Sequence, residues 1–408
     1  MSVTPADIAA ARERIRSGIY ESPCVPSVPL SDLTGCRVWC KLDLLQRTGS
    51  FKERGARNAL MLLDAAARAR GVVAASAGNH ALGLAWHGRL LGIPVSVVMP
   101  RFAPLVKVET CRQLGARVIL EGTSFDEARV MAARMAAEEG LALVHGFDDP
   151  HVVAGQGTMA LEILESLPDA EALVVPTGGG GLLAGVATAA KSINPSIRIV
   201  AVEPAAAPAL SAALAAGEPV KVPVRPTLAD GLAVGRIGNV PFDILARGSV
   251  TGPLVDRVAT VDEEALSIAV LRLAELEKTV VEGAGASALA ALLGPDGREL
   301  AGRKVVLLLC GGNIDLSILG RVIDHGLATD GRLWRFTVTV SDRPGGIARL
   351  TALIAEAGAS VQEIVHDRTF GSADVFSATV AVTVQTAGRE QFERLADRLR
   401  NEGLHPLI

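Results

Sequence analysis

Val72-Val73-Ala74-Ala75-Ser76-Ala77-Gly78-Asn79-His80 decides the fold. An apolar run without polar alternation reads as a strand buried on both faces. A small, polar loop then turns the chain, and an alanine- and leucine-rich run to about Leu91 has helical spacing. The unit recurs. Further strand candidates are Val38 to Leu42, Val95 to Met99, Arg117 to Leu120, Leu141 to Val144, Leu173 to Pro176, Ile197 to Val202 and Val305 to Leu309. From Val72 onward, alanine-rich helices of roughly a dozen residues separate them. This pattern predicts an α/β body of parallel sheets covered on both faces.

The bulk properties exclude several function classes. The chain has 408 residues, 49% of them hydrophobic, enough for a large core and two or three compact units. Charged residues make up 21% and the formal net charge is −4. No basic stripe with interleaved aromatics occurs, which argues against nucleic-acid and acidic-membrane partners. No apolar run is long enough to span a bilayer. Thr4-Pro5-Ala6-Asp7 reads as a helix cap, not as part of a signal peptide. The five cysteines, Cys24, Cys36, Cys40, Cys111 and Cys310, are odd in number and scattered, without a CxxC pair. They predict no disulfide framework and no zinc site, and a cytoplasmic protein.

The pattern changes near the C-terminus. His325-Gly326 closes a helix and Ala328 to Arg332 read as a polar linker. Trp334 to Val340 alternates as a strand and Pro344 to Ala357 is helical. Val361 to Val365 and Val375 to Val384 are strands, Arg389 to Asn401 is helical, and Leu404 to Ile408 closes the unit. That βαββαβ order is ferredoxin-like.

Four segments carry chemistry. In Ser50-Phe51-Lys52-Glu53-Arg54-Gly55, Lys52 falls in the first turn of a helix, a poor place for a permanent cation. It suits an amine that must lose its charge to attack a carbonyl, although a solvated surface lysine has the same local signature. Thr177-Gly178-Gly179-Gly180-Gly181-Leu182 lies between a buried strand and a helix, where bare amides cradle an anion such as phosphate. The same glycines satisfy a permissive dinucleotide fingerprint, with Glu203 where a ribose-binding carboxylate would stand. In Ser76 to His80, small residues and backbone amides at a helix start suit a carboxylate, and Asn79 could meet a ring oxygen. Ordinary N-capping by Ser76 is the plainer alternative. Cys310-Gly311-Gly312-Asn313 follows a strand at the crevice edge, where a thiol could touch a ring nitrogen or simply pack in the core. Together the segments offer an amine, a phosphate cradle, a carboxylate pocket and a ring-nitrogen partner, a set that pyridoxal 5'-phosphate satisfies.

In this order SFKERG, SAGNH, GGGGL and CGGN resemble the threonine dehydratases (threonine ammonia-lyases), which are fold type II pyridoxal phosphate enzymes. Ala154 to Thr158 and Glu282 to Gly285 also resemble family segments. The likeness runs from near Pro5 to near His325. The tail, with Asp342-Arg343-Pro344-Gly345-Gly346, resembles an ACT regulatory domain. The resemblance implies a two-lobed, tryptophan-synthase-β-like catalytic body over residues 1–327, with its smaller lobe near 40–150. A linker over 328–332 and an ACT domain over 333–408 follow.

It further implies that Lys52 links to the cofactor aldehyde, with Phe51 flanking the ring and Asn79 at the ring hydroxyl. Gly178, Gly179, Gly180, Gly181 and Leu182 would hold the phosphate, and Cys310 would face the pyridine nitrogen. Ser76, Ala77, Gly78, Asn79 and His80 would hold the substrate carboxylate. A thiol cannot keep that nitrogen protonated as a carboxylate would, which favours loss of a β-hydroxyl. Serine racemases of the family carry a second serine where this chain has Ala77, so elimination is expected rather than racemisation. They also hold a cation with a glutamate like Glu203 and an acid a few residues on. Pro204 to Leu210 contain no acid, so no metal is expected and Glu203 reads as a solvated strand-end residue.

The expected reaction is dehydration and deamination of L-threonine, and also of L-serine. An isoleucine or valine effector at the ACT domain and a homodimer or homotetramer are expected with it. The alternatives are a dehydratase of hydroxyaspartate or a phenylserine, an NAD-dependent oxidoreductase, and a non-catalytic amino-acid sensor.

Overall fold

Parallel pairing needs a crossover between consecutive strands, and the alanine-rich helices supply it. The computed structural model describes residues 3–103, 105–248, 252–369 and 375–408. It divides into two compact units, Met1–Ile314 and Asp315–Ile408.

The first unit contains strands β1 (Cys24–Ser27), β2 (Arg37–Lys41), β3 (Val72–Ala75), β4 (Val95–Met99), β5 (Arg117–Leu120), β6 (Ala142–Leu143), β7 (Ala172–Pro176), β8 (Arg198–Pro204), β9 (Arg257–Val261) and β10 (Lys304–Leu308). A parallel sheet in the order β5-β4-β3-β6 forms the smaller lobe. The larger lobe is built on β1-β2-β10-β7-β8-β9, parallel except for the β1–β2 pair. Val72, Val73 and Ala74 and all of β7 are buried, as uniformly apolar strands demand.

The helix Lys52–Met61 packs very closely on the helix Pro150–Ser166. A Cβ on Gly155 would stand 2.6 Å from the Arg54 carbonyl and 2.7 Å from Gly55 Cα, so only glycine permits this approach. Thr4 caps the helix Pro5–Ile15 in a reciprocal capping box with Asp7.

The second unit opens with the helix Leu316–Thr329, which runs through residues 328 and 329, expected in the linker. Gly331, at φ +72°, turns the chain into β11 (Leu333–Ser341). With β12 (Ser360–Asp367) and β13 (Ser377–Gln385) it forms an antiparallel sheet in the order β11-β13-β12. Phe336, Val338, Val340, Val380, Val382 and Val384 alternate inward to meet the helices Gly346–Glu356 and Arg389–Asn401. The expected closing strand is reduced to a bridge between Thr337 and Leu407, which exchange both backbone hydrogen bonds at 2.8 Å. Among the described residues, no helix is long and apolar enough to cross a membrane.

Candidate active site

A cavity of about 790 Å³ opens at the carboxyl ends of the strands in the first unit. It is lined by Phe51, Lys52, Ser76 to His80, Gly178 to Leu182 and Cys310, so every residue expected at the site borders one space. Its size suits a cofactor with a small substrate.

Lys52 is the first residue of its helix and is only partly exposed. Its Nζ donates to the Gly146 carbonyl at 2.7 Å. Burial lowers the amine from the ordinary lysine range to about 8, while Cys310 and Glu282 pull it back up. A solvated surface lysine does not describe this residue. Two residues on, Arg54 is fully buried and grips Asp43 through Nε and Nη2, each at 2.7 Å. Arg54 also donates to Glu162, which accepts from Lys41 at 2.6 Å. This balanced group of two cations and two carboxylates anchors the first turn that carries Lys52.

The glycine run follows β7. The helix Gly181–Ile193 has Gly180 as its N-cap, in the left-handed region, and no side chain caps it. The first intrahelical bond there is from Ala184 N–H to the Gly180 carbonyl at 2.9 Å, so helix geometry leaves the preceding amides for an anion. The glycines also serve packing. A Cβ on Gly179 would fall into the Phe147 ring, and one on Gly180 would stand 2.9 Å from Ile237 Cδ1.

Ser76 does not cap the helix Asn79–Leu91. Gly78 occupies the N-cap without a side-chain hydrogen bond, and its N–H points to Ser76 Oγ at 3.3 Å. The first-turn amides therefore remain for a carboxylate. His80 is buried, with Nε2 donating to the Val144 carbonyl at 3.1 Å and Nδ1 unpartnered. Burial and the nearby Lys52 push it down to about 3, so the ring is neutral and only its main-chain N–H suits an anion.

Cys310 is buried, and burial, with Glu282 and Asp43, raises its thiol well above the ordinary range. It is a neutral thiol. Its carbonyl accepts from Phe51 N–H at 3.0 Å, and Ser50 bridges Gly311, which ties the end of β10 to the lysine turn.

An uncapped helix start, a lowered amine and a neutral thiol around one cavity fit pyridoxal phosphate. Residues 15–311 match the family described as pyridoxal-phosphate dependent enzyme, and residues 335–403 match the ACT domain. The chain is 42% identical over 393 residues to the L-threonine ammonia-lyase of Thermotoga maritima, covering 96% of each chain. It belongs to the threonine ammonia-lyase family of pyridoxal phosphate dependent enzymes. Its fold is also that of threonine deaminase isoform 2 from Solanum lycopersicum, at TM-score 0.74 and 35% identity over 78% of this chain and 91% of that one. Maize serine racemase is similar too, at TM-score 0.74 and 35% identity, covering 80% of this chain and 99% of that one.

The body of this family member departs from the sequence reading at Glu203. That residue is 1% exposed, not solvated, and accepts from the main chains of Leu210 (2.8 Å) and Ser211 (3.1 Å) and from the Ser211 hydroxyl. It caps the helix Ala209–Ala216 and does not line the cavity, so the dinucleotide alternative loses its ribose ligand. Glu282, His145, Phe147 and Asp230 are among the cavity residues to which the sequence reading gave no role. Of these, only Glu282 carried any signal, as part of a family-like segment. His145 accepts from Asp148 N–H at 3.0 Å and meets Phe147 edge-on at 4.5 Å, which shapes the wall that packs against the glycines.

Proposed function

We propose that the enzyme eliminates water from L-threonine and releases 2-oxobutanoate and ammonia, and that L-serine gives pyruvate by the same route. The lowered Lys52 amine beside an uncapped glycine cradle is the observation that carries this reading. Bound pyridoxal phosphate supplies an electron sink next to the substrate α-carbon. Lys52 holds it at the aldehyde, the amides of Gly178 to Leu182 hold the phosphate, and Phe51 flanks the ring. Asn79 donates to the ring hydroxyl, and Cys310 faces the ring nitrogen as a neutral thiol.

The amides of the Ser76 to His80 loop orient the substrate carboxylate. As a free amine, Lys52 takes the α-proton at Nζ, and a pKa of about 8 leaves that base partly unprotonated near neutrality. The β-hydroxyl takes that proton from Nζ and departs as water, and the enamine product hydrolyses to 2-oxo acid and ammonia. Ala77 has no proton to deliver to the far face, which favours elimination over racemisation.

Residues 333–408 act as the regulatory module, sensing isoleucine or valine, and a homodimer or homotetramer pairs these modules. The cysteines are all unpaired, which suits the reducing cytoplasm.

The test is to supply the holoenzyme with L-threonine, L-serine, hydroxyaspartate and phenylserine, and to measure 2-oxo acid, ammonia and amino-acid chirality. Threonine and serine should yield 2-oxo acid with little D-isomer. Absence of 2-oxobutanoate, or D-serine forming as fast as pyruvate, overturns the assignment.

A further inference from the structure

Glu282, directly before the helix Gly283–Leu293, is a cavity acid to which the proposed reaction gives no task. It is 4% exposed, and its Oε1 accepts from Asn79 Nδ2 at 2.7 Å. The nearby main-chain N–H of Asn313 also favours its ionised form. The Asn313 side chain donates from Nδ2 to Asn79 Oδ1 at 2.8 Å and to the Thr48 carbonyl at 2.7 Å. Both Nδ2 hydrogens of Asn313 are thereby committed, so its carboxamide cannot flip without losing one of them. Asn79 must then turn Oδ1 to Asn313 and Nδ2 to Glu282, and one Nδ2 hydrogen is left for the cavity that Asn79 lines. The fit is close, since a Cβ on Gly311 would overlap the Glu282 carboxylate.

We propose that Glu282 is a positioning residue for the cofactor ring, orienting Asn79 toward the ring oxygen and tuning the strength of that donor by its own charge. The inference rests on the placement of Asn79 at the ring hydroxyl in the proposed function. A hydrogen bond to an ionised carboxylate is roughly twice as strong as one to a neutral acid, so ionisation binds and polarises the Asn79 amide more firmly. Burial, with Asp230, raises Glu282 to about 7 against Lys107, the Asn79 hydrogen bond and the Asn313 main chain, which lower it. Lys52 and Cys310 face it across the cavity. Lys107 and Asp230 lie 3.5 Å apart, and Asp230 is 64% exposed, so Asp230 can be changed with little risk to folding. A carboxyl poised near neutrality turns a fixed contact into a pH-dependent one.

The experiment follows the visible band of the pyridoxal phosphate holoenzyme across neutral pH, because that band responds to proton and hydrogen-bond changes at the ring oxygen. The wild type should show a step near neutrality. Glu282→Gln should remove the step while the cofactor still binds. Asp230→Asn should move the midpoint to lower pH and Lys107→Gln to higher pH, each by roughly a few tenths of a pH unit for partly screened charges. If Glu282→Gln does not fold, these opposite shifts carry the test. A step unchanged in Glu282→Gln, or shifts of the same sign in the two neighbours, overturns the inference. Normal threonine turnover without any step defeats this inference alone and leaves the proposed function standing.

Discussion

Replacing Gly179 by alanine tests the glycine cradle at its tightest point. Gly179 does not have a positive φ, so the backbone accepts a side chain and the whole effect is steric. The new Cβ would lie 2.5 Å from Phe147 Cδ1, so the ring must retreat by roughly an ångström to reach ordinary contact. Overpacking of this kind costs about 1–3 kcal/mol. Phe147 borders the cavity, so the cost should fall on cofactor binding and raise the pyridoxal phosphate Kd about 5- to 150-fold. Gly180→Ala should behave differently. Its Cβ meets Ile237 and Pro241 at 2.9 Å and its φ of +88° is strained for alanine, so it should lower the melting temperature of the fold itself. Titrating apoprotein with pyridoxal phosphate, followed by the visible band, reads the affinities. The decisive measurement is a double-mutant cycle, in which Phe147→Ala should relieve most of the Gly179→Ala penalty. An equal penalty in both backgrounds would refute the steric account.

Lys52→Met should abolish turnover and the cofactor's visible band, and borohydride reduction of the wild type should label Lys52. Because the Lys52 amine falls from 10.5 to about 8 on folding, the unfolded chain binds the extra proton between those values and apoprotein stability should rise with pH across that window. Apo Lys52→Met should therefore melt above the wild type near neutral pH and lose that advantage in alkali; identical melts throughout would contradict the burial argument. Arg54→Met leaves Asp43 and Glu162 without their shared cation and should cost about 3–5 kcal/mol in a denaturant titration, with a change below about 1 kcal/mol ruling out the anchoring role. Isoleucine or valine should alter threonine turnover of the full chain but not of a chain ending at Ile314, with a coupling of about 1–3 kcal/mol; a full response in the shortened chain would place the effector site elsewhere.

The architecture was legible because β3 and β7 are apolar on both faces, and β4 nearly so with Ser96 its one polar residue, which marks them as buried parallel strands. The cavity loops were legible for a related reason, since an open α/β sheet collects its site at strand ends. What escaped were residues whose meaning depends on distant partners. Asn79 and Glu282 are 203 residues apart, and nothing near Glu282 announces that its carboxylate meets a carboxamide from the smaller lobe. Arg54 was visible as part of a motif, but its grip on Asp43 and Glu162 needed three elements to converge. Glu203 was misread because an acid at a strand end is usually solvated, whereas here the chain returns to place two amides and a hydroxyl over it.

β10 enters the larger sheet between β2 and β7, with Lys304 opposite Arg37. The loop before Lys52 is sewn to the same late segment, through Leu44 N–H to the Leu309 carbonyl, Phe51 N–H to that of Cys310, and Gly312 N–H to that of Gly49, each at 3.0 Å. On the ribosome, at roughly 5–20 residues per second, β2 and the lysine turn must wait on the order of tens of seconds for these partners. Throughout that interval the nascent chain carries its reactive amine without the walls that depress its charge. The catalytic pocket is therefore among the last features of its unit to exist, and a chain cut short before Cys310 can be an extensive folding intermediate without ever being an enzyme.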